Sequence, residues 1–186
     1  VKNFINGKWV DCKSGKSFRS INPANKDEVV GVVPKSNRED IDQAVKAARG
    51  AYEPWRLTPA PRRGEILFRA AEILLKNKEF LGNLETREMG KILSEALGDV
   101  QEAIDMSYYM AGEGRRLSGE TVPSELPYKD MKSVRVPVGV FGLITPWNFP
   151  IAIPAWKIFP ALICGNTVIF KPSSDTSVCA AKLIEI

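Results

Sequence analysis

Short apolar runs open the chain, helical stripes fill its middle, and two compact apolar runs close it. Phe4-Ile5 and Trp9-Val10 flank Asn6-Gly7, a dipeptide suited to the positive φ angles of a tight hairpin turn. A second strand pair is expected over Phe18–Ile21 and Glu28–Val33, punctuated by Asn22-Pro23. Ser36-Asn37-Arg38-Glu39 reads as a capping box, and Ile41, Val45, Ala48 and Tyr52 after it share one helical face. Pro59 and Pro61 mark a loop and the next helix start; Ile66, Leu67, Ala70, Ile73 and Leu74 carry that helix to a break near Asn77. Phe80, Leu81 and Leu84 predict a further helix ending near Gly90. A long one should run from Ser94 to Ala111, with Ala96, Val100, Ile104 and Tyr108 on its stripe and Gly112 and Gly114 as its stop.

Thr121–Pro137 is extended and punctuated by Pro123 and Pro127, with a short strand expected within Met131–Val136. Such a segment is either a surface connector or an arm that pairs with another subunit. From Pro137 the pattern sharpens. Val138–Ile144 is a nearly continuous apolar run, as expected of a strand buried on both faces. Pro146-Trp147-Asn148-Phe149-Pro150 breaks it, and Pro150 suits the first position of a helix that Gly165-Asn166 closes. Thr167–Phe170 is a second buried strand, and Thr176 or Ser177 caps a last helix. Strand, helix and strand at this spacing make a β-α-β unit with parallel strands. The fold class is therefore α/β: hairpins and helices over residues 1–120, an extended arm over 121–137, and the first β-α-β unit of a Rossmann-like parallel sheet over 138–186. Two strands cannot cover both faces of such a sheet, so the architecture reads as incomplete.

Composition narrows the function classes. The chain has 186 residues, 44% hydrophobic and 26% charged, which suits one soluble domain with a real core. Its net charge of +4 is spread among acids rather than gathered in runs, which argues against nucleic acid as a partner. The start, Val1 to Gly7, lacks the apolar stretch of a secretory signal, and every longer apolar run is interrupted, so no membrane span is expected. Three cysteines, Cys12, Cys164 and Cys179, suit a reducing compartment, the cytoplasm by default. There is no histidine. That excludes Ser-His-Asp and Cys-His hydrolysis and removes the commonest transition-metal ligand, so no metal site is expected.

In open parallel sheets ligands bind beyond the carboxyl ends of the strands. Here those ends are Ile144–Asn148 and Lys171–Asp175, adjacent polar or rigid loops. On spacing alone, a ligand site and ordinary turn chemistry account for them equally. The Gly-x-Gly-x-x-Gly fingerprint that opens an ordinary dinucleotide-binding helix is absent.

Pro137-Val138-Gly139-Val140, Ile144-Thr145-Pro146-Trp147-Asn148-Phe149-Pro150, Gly165-Asn166-Thr167-Val168 and Lys171-Pro172 together resemble the aldehyde dehydrogenase superfamily. The likeness extends through Asn6-Gly7-Lys8-Trp9, Asn22-Pro23-Ala24, Glu88-Met89-Gly90-Lys91 and Gly119-Glu120-Thr121. It implies the N-terminal, cofactor-binding part of an enzyme that oxidises an aldehyde to an acid with NAD or NADP. In that mechanism a thiolate attacks the carbonyl, hydride passes to the nicotinamide, and water hydrolyses the thioester.

The resemblance assigns roles by position. Asn148 corresponds to the side-chain amide of the oxyanion hole. Ile144, Thr145, Pro146 and Trp147 match the segment against the nicotinamide half and pyrophosphate, while Phe149 and Trp156 match aromatics of the aldehyde tunnel. Lys171, with Ser173 and Ser174 after it, matches the ribose-binding end. Many NAD-preferring members carry a Glu where Ser174 stands. A carboxylate there repels a 2′-phosphate and a serine does not, so NADP should be accepted, with Asp175 nearby acting the other way. The family's nucleophilic cysteine and general-base glutamate have no counterpart among these residues, which implies that this chain alone is inactive. Trp156 stands where succinic semialdehyde dehydrogenases carry an Arg. Pro150–Phe159 and Gly112–Gly119 look more like bacterial semialdehyde members such as 2-oxoglutarate semialdehyde dehydrogenases. A small aldehyde is the implied substrate and a homo-oligomer the implied assembly. The alternatives are an inactive NADP-binding module and a self-association module built on the arm.

Overall fold

In the computed structural model, which describes residues 1–186, Asn6 and Gly7 adopt φ angles of 53° and 72°. They close strands β1 (Asn3–Ile5) and β2 (Lys8–Val10) into a hairpin, as the turn chemistry predicts. Strands β3 (Ser17–Ile21) and β4 (Val29–Pro34) form a second antiparallel pair.

Helix α1 (Arg38–Leu57) begins with a capping box one residue later than its predicted place. Asn37 is the cap, and Asp40 closes the box by accepting Asn37 N–H at 2.9 Å. Asp40 prevails because its other oxygen accepts Lys13 N at 2.9 Å, tying the helix start to the chain after the first hairpin. That arrangement buries Asp40 and leaves Ile41 55% exposed, against its expected place on the inner face.

Helices α2 (Ala60–Lys76), α3 (Lys78–Met89) and α4 (Leu93–Glu113) follow. The inner face of α4 is Ala96, Asp99, Val100, Ala103, Ile104 and Ser107, a stripe at three- and four-residue spacing. Helices α2, α3 and α5 (Ala152–Ile163) all pack on α4, which makes it the centre of the helical group. The 121–137 segment folds back on itself through β5 (Thr121–Val122) and β6 (Met131–Lys132) and is exposed almost throughout.

Strands β7 (Val140–Ile144) and β8 (Thr167–Lys171) pair in parallel around α5, giving the expected β-α-β unit and an α/β fold. One apolar core joins Val33, Leu67, Leu81 and Val100 to Leu143, Phe159 and Leu183, so the unit is continuous with the helical group. Burial on both faces of β7 is not realised: Leu143 is buried, but Ile144 is 75% exposed. Helix α1 anchors the amino ends of these strands, through Tyr52 Oη donating to Pro137 O and Thr167 Oγ1 donating to Ala48 O at 3.0 Å.

The start of α5 is also displaced, from Pro150 to Ala152. Its first amides are taken by a distant carboxylate: Asp99 accepts Ala152 N at 2.6 Å and Ile151 N at 3.4 Å. Helix α6 (Ser177–Glu185) begins in the same way, with Glu88 accepting Val178 N at 2.8 Å and Cys179 N at 2.6 Å. Two buried carboxylates from the helical group thus serve as caps for two helices of the closing unit.

Candidate functional site at the strand ends

The parallel register sets Ile144 opposite Lys171, and Thr145 N donates to Lys171 O at 3.3 Å. The two strands therefore end side by side. Their other ends are fixed by Asn166, whose Oδ1 accepts Val138 N and Gly139 N at 2.7 and 2.9 Å while its Nδ2 donates to Ala161 O at 3.1 Å. Arg63, buried without a carboxylate partner, donates to the carbonyls of Ile163, Arg56 and Thr58, so it ties the ends of α1 and α5 together.

The residues named from the sequence gather at this one edge. Ile144, Pro146, Trp147 and Asn148 are exposed there, and so are Lys171 and Ser174 across the register. Thr145 is the exception: it is buried, its N–H is spent on Lys171 O and its Oγ1 has no partner. Ser173 is partly used by the local fold: its Oγ accepts Asp175 N at 3.3 Å and caps a 3-10 turn over Ser174–Thr176. Phe149 and Trp156 stack with ring centroids 6.4 Å apart, one turn into α5. Asn148 differs from the structural Asn166: only its main chain is engaged, and its side-chain amide has no partner within the chain.

Beneath the loop lies a charged cluster that helical periodicity did not single out. Lys91 Nζ donates to Asn148 O at 2.7 Å, sits 3.9 Å from the centre of the Phe149 ring, and lies 3.0 Å from Glu85 Oε1. That last approach is off the lone-pair direction, because neither Glu85 oxygen has a well-directed hydrogen bond. Burial, and then the neighbouring Asp99, push the Glu85 carboxyl up to about 8. Burial raises Asp99 as well, although its backbone bonds to α5 favour the ionised form. At neutral pH the pair therefore keeps a proton, and the Lys91 charge is balanced by one carboxylate rather than two. The signal that could have found Glu85 is its phase: Leu81, Leu84, Glu85 and Glu88 lie at three- and four-residue spacing on one buried face.

The folded state holds the Glu85 proton where the unfolded chain has released it. Stability should therefore fall as pH rises through the interval from about 5 to about 8, by about 1.4 kcal/mol per pH unit for one proton. Glu85→Gln, neutral at every pH, should remove most of that slope in urea unfolding curves. An unchanged slope in the variant would show that the proton resides elsewhere.

Cys179 is buried, and burial followed by the Glu88 carboxylate pushes its thiol well up. Cys12 lies against Ser14 and Lys16 near the first hairpin, and Cys164 ends α5. No group of three or more Cys, Asp or Glu could hold a metal ion, and no helix is long and apolar enough to cross a membrane.

Residues 9–186 match the aldehyde dehydrogenase family model. The alpha-ketoglutaric semialdehyde dehydrogenase of Bacillus subtilis (strain 168) is 46% identical over 182 residues, covering 98% of this chain and 37% of that protein. Among solved structures, an NADP dependent enzyme of E. coli superposes with a TM-score of 0.96 at 36% identity, covering 99% of this chain and 38% of that one. A betaine aldehyde dehydrogenase double mutant from Staphylococcus aureus, in complex with NAD+, superposes with a TM-score of 0.95 at 35% identity, covering 99% of this chain and 37% of that one. The chain thus spans somewhat over a third of the length of these relatives. Strand-end motif, fold and sequence agree: the chain belongs to the aldehyde dehydrogenase family.

Proposed function

We propose that the chain supplies the cofactor edge and the oxyanion donor of an NAD(P)-dependent enzyme that oxidises a semialdehyde to its acid. The observation that carries this is the unengaged Asn148 amide at the end of β7, beside the exposed Lys171 at the end of β8. Bound along this edge, NAD or NADP supplies the two-electron acceptor. The residues present fit such a group: an ammonium at Lys171, a free hydroxyl at Ser174 and no carboxylate at that position. Asp175 is partly occupied by Ser173, whose Oγ lies 3.4 Å from its Oδ2. A 2′-phosphate would therefore meet the Lys171 ammonium and the Ser174 hydroxyl, with no carboxylate at position 174 itself, which allows NADP as well as NAD.

Asn148 would donate its side-chain N–H to the carbonyl oxygen of the aldehyde as negative charge develops there. Phe149 and Trp156, stacked beside it, would exclude water and hold an apolar part of the substrate. The Bacillus subtilis relative supports a semialdehyde as substrate class. Cys179 is buried with its thiol pushed well up, and the resemblance gives the family's nucleophilic cysteine no counterpart among the 186 residues, so turnover should need residues outside them. Three free cysteines favour a reducing cytoplasm, and the exposed apolar residues of the arm, Val122, Met131, Val134 and Val136, favour assembly with a second copy.

The test is absorbance of reduced cofactor with short semialdehydes and either NAD or NADP, using the full polypeptide that carries residues 1–186. Semialdehyde-dependent NADPH formation is expected, with Lys171→Ala weakening NADP about tenfold by loss of one charge-assisted contact. The 186-residue chain alone should bind NADP without forming NADPH. No cofactor reduction with any semialdehyde, or unchanged NADP affinity in Lys171→Ala, would contradict the proposal.

A further inference from the structure

We infer that Lys91 is a positioning residue for Asn148, fixing the main chain of the strand-end loop from beneath so that the side-chain amide points outward. This rests on Asn148 acting as the oxyanion donor. The loop contains Pro146 and Pro150, which restrict its backbone, but prolines alone do not fix where it sits. Its position is set by one buried cluster acting at two points. Lys91 Nζ holds the Asn148 carbonyl at 2.7 Å, and Asp99 holds the Ile151 and Ala152 amides at 3.4 and 2.6 Å. Glu85 stands between them, 3.0 Å from Lys91 Nζ.

The Lys91 side chain is only 7% exposed, so its charge has been taken out of water. An ammonium in such a place is costly to bury unless its surroundings replace its hydration. A carbonyl, a carboxyl and an aromatic face do so here. Two of those three partners, the Asn148 carbonyl and the Phe149 ring, belong to the loop itself. Helix α3 ends at Gly90, whose left-handed φ of 82° turns the chain so that Lys91 leaves the helix toward α4 and the loop. A lysine serving only to join α3 and α4 would need neither loop contact.

Lys91→Met keeps the apolar stem and removes the donor and the charge. Lys91→Arg keeps a charged donor within reach of the carbonyl. Amide hydrogen exchange of the 186-residue chain, read by mass spectrometry, separates a local from a global role. In Lys91→Met the amides of Ile151, Ala152 and Ile153 should exchange at least about tenfold faster, with peptides from α2 unchanged, and Lys91→Arg should restore most of the protection. Unchanged loop exchange in Lys91→Met would overturn the inference, and so would a uniform rise across α2, α3 and the loop. In the full polypeptide, Lys91→Met should lower kcat about tenfold while leaving the KM for NADP alone. Asn148→Ala, assayed beside it, keeps the two ideas apart. If Asn148→Ala turns over normally, the oxyanion role fails. If it is crippled while Lys91→Met is not, positioning by Lys91 fails.

Discussion

Glu88→Ala should lower the unfolding free energy by about 3 to 5 kcal/mol, enough to leave a domain of this size barely folded. The carboxylate is 3% exposed and accepts three hydrogen bonds, from Ser20 Oγ at 2.8 Å, Val178 N at 2.8 Å and Cys179 N at 2.6 Å. These join β3, α3 and α6 through one side chain. Alanine would leave a hydroxyl and two helix amides buried without an acceptor, each costing about 1 to 3 kcal/mol, and would remove a negative charge from the positive end of α6. Glu88→Gln retains one acceptor but turns an amide NH2 toward N–H donors, so it should fall between wild type and Ala. Urea unfolding checks the order. A loss below about 1 kcal/mol for Ala would mean that water or a neighbouring carbonyl replaces the carboxylate. Because α6 follows directly on the Ser174–Thr176 turn, the same substitution should loosen the Lys171–Ser174 end of the edge.

What the sequence made legible was what is locally determined. Asn6-Gly7 needs only its own φ angles to make a turn, and the helices α2, α3 and α4 need only their spacing, although Ile66, Ile73 and Phe80 of the expected stripes are exposed. The strands β7 and β8 stand out because short apolar runs are bounded by rigid turns. Where a helix start or its capping group departs from the local reading, a partner far away in the chain is the cause: α5 starts two residues late, and α6 starts where expected but takes its cap from Glu88. Asp99 lies 53 residues before the Ala152 amide it accepts, and Glu88 lies 90 before Val178. In the same way Asp40 gains a partner at Lys13, which shifts the box at α1 by one residue. Local chemistry names a candidate cap, and tertiary structure selects the one used.

The candidate site was legible differently. Periodicity located two strand ends and no roles. Asn148, Lys171, Ser174, Phe149 and Trp156 acquired roles only through resemblance, and the register of β7 and β8 then brings the two loops to one edge. Glu85, Glu88 and Asp99 were not singled out by helical periodicity, because charge normally marks the outer face of an amphipathic helix, and Lys91 lies in the link between α3 and α4. Their phase on the apolar stripe was the one sequence signal against that, and it is weak without knowing that α5 and α6 begin above them. Ser173 shows the converse, a residue assigned to the cofactor whose hydroxyl also caps a turn.

Asn148→Ala is the substitution on which the proposed chemistry stands or falls. The amide sits at a strand end, has no partner of its own within the chain, and rests on a main chain held by Lys91 and Asp99. A donor so placed needs no reorganisation as charge develops on the carbonyl oxygen, and losing one typically lowers kcat about 100- to 1000-fold. Its side chain is exposed and supports no fold contact, so the unfolding midpoint and the affinity for NADP should be those of the wild type. The decisive experiment is therefore kcat for semialdehyde-dependent NADPH formation by the full polypeptide, wild type against Asn148→Ala, with the NADP dissociation constant measured on both. A fall of at least about 100-fold in kcat at unchanged NADP affinity is the predicted result. Turnover within about twofold of the wild type would contradict the oxyanion role and the reading of this strand-end edge as a catalytic one.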